Sequence, residues 1–174
     1  MKVRSSGIAA RIKDVPAGTC FAFRREGTTY LAIRLREKKT ATVLWPAHPG
    51  GKLPLGQFSV DDDLWTQSLW VLPDAVATPQ LGLSEVRYPE SYRQQLGSLV
   101  LAGEDSMVTV PYRDEAVAWV RLSTGELALP HTSAFVWFER WSIVLPGPDG
   151  NLQTICTIPS QKISTVAADH FDKG

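Results

Sequence analysis

The chain has 174 residues, 44% of them hydrophobic and 21% charged, which is enough to pack the core of one domain or two small ones. Two cysteines far apart, with no CxxC spacing, exclude a disulfide framework or a zinc knuckle. The charge sums to zero but is unevenly placed: residues 1–52 hold 11 Lys or Arg against 3 acids, a net of +8, and the remainder carries −8.

The N-terminal "MKVRSSGIAARIKD" lacks the continuous apolar run of a secretory signal, and no stretch reaches the roughly 18 apolar residues of a membrane span. A cytoplasmic protein without membrane contact is expected. Short runs rich in Val, Ile, Thr and aromatic residues follow, separated by Gly and Pro clusters such as "PAGT", "HPGGKLPLG" and "PGPDGN", so the fold is expected to be mainly β. In chain order the pattern predicts strands at Ile8–Ile12, Cys20–Arg24, Thr29–Arg36, Ala41–Trp45, Ser68–Leu72, Ser98–Ala102, Met107–Tyr112, Ala116–Leu122, Glu126–Leu129, Phe135–Leu145 and Leu152–Ile158. "PESYRQQLG" alone has helical character, with Pro89 in the first turn, Glu90 near the positive end of the dipole and Gly97 as a stop.

An internal repeat organises these elements. "FAFRREGTTYLAIRL" (Phe21–Leu35) aligns with "VTVPYRDEAVAWVRL" (Val108–Leu122) at a constant offset of 87, pairing Phe21 with Val108, Phe23 with Val110 and Arg34 with Arg121. "WTQSLWVLP" (Trp65–Pro73) similarly matches "WFERWSIVLP" (Trp137–Pro146). The expected architecture is therefore two related small β units, each an SH3-like or partly open barrel or sheet. A basic unit over 1–87 and an acidic unit over 98–174, the latter with a C-terminal tail, are joined by a helix in 88–97, near residues 89–96.

Alternation on a strand sends Leu31, Ile33 and Leu35 to one face and Tyr30, Ala32, Arg34 and Arg36 to the other. With Arg24 across the hairpin and Lys38 and Lys39 at the next turn, the second face reads as a basic surface carrying an aromatic, of the kind that binds single-stranded nucleic acid or an acidic protein. Lys and Arg also occupy such positions simply to keep edge strands from associating. In the second unit the matching face carries Val117, Trp119 and Arg121; Trp119 either packs in a core or anchors a partner. Trp137 and Trp141 are expected on one face of a single buried strand with Phe135 and Ile143.

Chemistry is not advertised. His48, His131 and His170 are scattered and no metal ligand set is formed; "DDD" at Asp61–Asp63 reads as a cap or a solvated turn; Cys20 has no base placed by motif. A P-loop, a Rossmann glycine fingerprint and a nucleophile elbow are all missing, so no catalytic residue and no cofactor is expected.

"DVPAGTCFAFRREGTTYLAIRL", Asp14–Leu35, resembles the opening hairpin of small all-β bacterial toxin-immunity proteins, in its order of Asp, Gly, aromatic-x-aromatic, turn and Tyr-x-x-x-Arg. The resemblance covers about 22 residues and implies a non-catalytic inhibitor that occludes a protein partner, a toxin; the basic hairpin departs from an acidic inhibitor. The expected function is thus macromolecule binding of the immunity or antitoxin type, with RNA or single-stranded DNA binding through the first hairpin as the alternative and a hydrolase of unlocated site as the third. The partner-binding set is Arg24, Tyr30, Arg34, Arg36, Lys38, Lys39, Trp119 and Arg121.

Overall fold

The computed structural model describes residues 7–25, 27–37, 40–45, 56–59, 68–80, 86–87, 95–112, 116–128, 135–147, 149–159 and 161–162. The strands in chain order are β1 (Ile8–Arg11), β2 (Cys20–Arg25), β3 (Thr28–Arg34), β4 (Thr40–Trp45), β5 (Gly56–Ser59), β6 (Ser68–Leu72), β7 (Val76–Pro79), β8 (Val86–Arg87), β9 (Gln95–Leu96), β10 (Leu99–Ala102), β11 (Asp105–Tyr112), β12 (Ala116–Arg121), β13 (Leu127–Ala128), β14 (Val136–Phe138), β15 (Arg140–Pro146), β16 (Leu152–Pro159) and β17 (Gln161–Lys162). One 3-10 turn, Ile12–Asp14, is the only helical element among the described residues. The protein is mainly β. Most of the helix expected near 89–96 lies outside the described residues, and its last two positions, Gln95 and Leu96, form β9 paired with β17.

Three antiparallel sheets carry the fold, in the orders β1-β6-β2-β3-β4-β5, β13-β12-β11-β10-β14-β8 and β16-β15-β7. All three turn a face to one central core, which includes Cys20, Leu31, Ile33 and Leu72 from the first sheet, Leu99, Val108 and Val120 from the second, and Trp141, Ile143 and Cys156 from the third. The first two sheets also bury part of their opposite faces. Phe21, Phe23, Ala32 and Val71 cluster with Ile12 and Val15 on one, and Val100, Met107, Trp119, Phe135 and Trp137 cluster on the other.

The two hairpins face this core in the same way, with a one-residue adjustment. Cys20 and Ala22 pair with Ile33 and Leu31, while Val108 and Val110 pair with Val120 and Ala118, and all eight are core residues. Face for face, Cys20 and Ala22 therefore match residues 88 later, whereas Leu31 and Ile33 match residues 87 later, because twelve residues lie between Cys20 and Ile33 and eleven between Val108 and Val120. The constant offset paired Phe21 with Val108, which lie on opposite kinds of face; a slip of one residue exchanges the faces of a strand. The second matched segment departs further: β6 sits in the first sheet between β1 and β2, but β15 sits in the third between β16 and β7.

The long strand expected over Phe135–Leu145 is two strands. A break at Glu139 passes the chain from the second sheet, where β14 pairs with β10 and β8, to the third, where β15 pairs with β16 and β7. The turn of the corner separates Trp137, in the outer cluster with Phe135, from Trp141 and Ile143 in the central core.

Candidate functional site

Register decides where each predicted cation goes. Phe23 pairs with Tyr30 and Arg24 pairs with Thr29, so Arg24 lies on the face opposite Tyr30 and does not join it. Arg24 is exposed and its Nε donates to Gly27 O at 3.4 Å. Tyr30 is half-buried and stacked on Phe23, with ring centroids 5.3 Å apart. Arg34 is 8% exposed. Its Nη1 donates to Leu35 O (2.8 Å), Glu37 O (3.1 Å) and Thr40 O (2.6 Å), so the guanidinium ties down the turn between β3 and β4, and burial pushes its pKa downward. Arg36, 69% exposed, is ion-paired to Glu126, whose other oxygen accepts from Arg121 Nη1 at 2.9 Å. Arg121 Nε also meets Asp105 Oδ2 at 3.1 Å. Trp119 is 2% exposed and lies edge-on to Phe135, centroids 4.9 Å apart. Lys38 and Lys39 lie outside the described residues. Among the described residues the expected solvent-facing set of Arg24, Tyr30, Arg34 and Arg36 therefore does not form. The second face of β3 is covered by its own apolar cluster, and the cations beyond it are drawn to carbonyls and carboxylates.

The feature that alternation passed over is Trp70, 50% exposed. It stands on β6 in one row with Ala9, Ala22 and Leu31, the last two of which belong to the central core. Alanines on both flanks leave room for the indole, and Gly7 lies against it, so close that a Cβ there would run into the ring. Arg11, exposed on β1, pairs with Ser68 and so shares Trp70's face as its diagonal cross-strand neighbour. Lys13 is exposed just beyond. β1 is the last strand of its sheet, and among the described residues its outer edge has no strand partner. The sequence signal was present in "SLWVL": Leu69 and Val71 claim one face and leave Trp70 on the other, in a strand one place from the edge.

Reactive groups are subdued. Cys20 and Cys156 are free and buried in the central core. Burial, and secondarily the nearby Cys156, push the Cys20 thiol up to about 12; burial pushes Cys156 up to about 11, against a hydrogen bond from the Ile143 backbone that lowers it. Such thiols hold little thiolate at neutral pH. Among the described residues no group of His, Cys, Asp and Glu could hold a metal ion. His48, His131, His170 and Asp61–Asp63 lie outside them. No helix among them is long and apolar enough to cross a membrane. No protein-family model matches this chain, and no curated protein and no solved structure matches it at a significant level.

Proposed function

We propose that the chain is a non-enzymatic protein-binding module, most concretely an inhibitor of the immunity or antitoxin type, whose docking surface is the β1–β6 edge bearing Trp70 and Arg11. The observation that carries this reading is the half-exposed indole held against Gly7 beside an exposed arginine. Trp and Arg are the residues most enriched at binding hot spots, and a side chain positioned beforehand loses less entropy on docking. The basic first segment fits a partner with an acidic surface, which this charge steers toward the edge.

RNA or single-stranded DNA binding through the first hairpin is the second reading. It is weakened because Arg34 and Arg36, which would track phosphates, are bonded to carbonyls and to Glu126. Two related β units remain our reading of the hairpins, favoured by the shared core-facing pattern and opposed by the different pairing of β6 and β15.

The test is capture with the full chain and with Trp70→Ala after nuclease treatment, followed by titration of the purified captured protein. The reading expects a protein that binds one-to-one and is lost with Trp70→Ala, and whose toxicity on expression is relieved by the chain. Capture that disappears with nuclease would transfer the function to nucleic acid.

A further inference from the structure

A cavity of about 300 Å³ opens where the first and third sheets meet the turn that follows β12. Its floor is buried core, including Ile33, Leu72 and Trp141, and Cys20 is among its lining residues. Thr19 and Ser123 are the hydroxyl-bearing residues of its lining, on neighbouring segments because Gly18 packs against the Ser123 backbone, and Ala75 stands on the lining at the end of the β6–β7 turn. No lining side chain is charged.

We propose that this cavity is a binding site for a small neutral aromatic molecule of about two fused rings. Charge is disfavoured because an ion entering it would lose hydration with no opposite charge to meet. Size follows from volume: a cavity of roughly 150 Å³ accepts benzene, and this one is about twice as large, at the lower end of the range for ligand pockets. The walls are built to hold their shape. Gly18, at φ +81°, approaches the Ser123 backbone so closely that a Cβ would lie 2.6 Å from Ser123 O, and its N–H donates to Arg34 O at 2.7 Å. Trp141 is held by its Nε1, which donates to Gly97 O at 2.7 Å, so that it offers ring surface and no further donor. The hydroxyls of Thr19 and Ser123 can bond a ring nitrogen.

Indole, quinoline and naphthalene are the probes, titrated by calorimetry and ligand-observed NMR against the full chain. Saturable one-to-one binding is expected for at least one, with Kd of about 1 mM or tighter, and Ala75→Leu, which fills the cavity, should weaken it by about tenfold or more. The bound probe should also slow modification of Cys20 by the neutral reagent 4,4′-dithiodipyridine at alkaline pH, followed by peptide mapping. Absence of saturable binding by all three probes, or equal binding by folded Ala75→Leu, overturns the proposal. If that variant does not fold, Cys20 protection decides: a modification rate unchanged at saturating probe overturns it. Trp70→Ala should leave the titration unaltered, which separates this site from the docking edge.

Discussion

Arg36 and Glu126 join the basic and acidic segments of the chain at two levels. The Arg36 guanidinium meets the Glu126 carboxylate, and the Arg36 backbone N–H donates to Gly125 O at 2.9 Å, in the turn that also carries Glu126. Glu126 is shared with Arg121. Backbone proximity does the larger part of this docking. Gly125 has φ +66°, and a Cβ there would strike Arg34 O and lie 2.7 Å from Gly18 N. The exposed ion pair should contribute only about 0.2–1 kcal/mol, less in high salt, in an Arg36→Ala and Glu126→Gln double-mutant cycle measured by urea unfolding. Gly125→Ala should destabilise by about 1–3 kcal/mol or more, since it adds a left-handed strain to a clash with backbone. Equal effects from the two substitutions would show the charges to be the true fastening.

Arg34 acts within the fold and not at its surface. Arg34→Met keeps the stem and removes the donors to Leu35, Glu37 and Thr40; Glu37 O and Thr40 O keep bonds from the Thr40 and Leu35 N–H groups, so the loss falls mainly on the buried Leu35 O, and the variant should destabilise by about 1–3 kcal/mol. Partner affinity of the folded variant should be unchanged.

The thiols predict an alkaline decline in stability. Both are held protonated by the fold, at about 12 for Cys20 and about 11 for Cys156, against an ordinary 9.0. Above pH 9 the unfolded chain releases these protons while the folded chain keeps them, so unfolding is favoured as pH rises. The stability is intact below pH 9 and is lost toward 11 and then 12, by up to about 1.4 kcal/mol per pH unit for each thiol. Comparison of wild type with a Cys20→Ala/Cys156→Ala variant across that window isolates the effect. Parallel pH curves for the two proteins would contradict it.

What could be read from the sequence was what local physics decides. Alternation and close turns located β2, β3, β11 and β12 to within about two residues, and correctly sent Leu31, Ile33 and Leu35 to a core. Long-range packing was not legible. Nothing in "LAIRLRE" reveals that Ile12 and Val15 help bury the opposite face, or that Arg34 turns to three carbonyls. "VATP" carries too little pattern to announce β7, and "WFERWSIV" keeps its apolar run through the corner at Glu139. The candidate edge was missed because the exposure of Trp70 depends on β1 being last in its sheet, a matter of topology.

Gly7 gives a way to disturb that edge without touching the tryptophan. Gly7→Ala must displace the indole, since its Cβ would overlap the ring. The variant should show altered tryptophan emission and reduced partner affinity at nearly unchanged thermal stability. Wild-type affinity with a shifted emission would show that the indole's position is irrelevant to docking.

The most direct measurement is the affinity of the captured protein for wild type, Trp70→Ala and Arg24→Glu across a salt series. A docking edge centred on Trp70 predicts that Trp70→Ala weakens binding by about 2 kcal/mol or more, that Arg24→Glu changes it little, and that salt has a gentle effect. An unchanged Trp70→Ala, together with a steep linear fall of log affinity in log salt and loss on Arg24→Glu, would contradict the account and assign binding to the cations of the first hairpin.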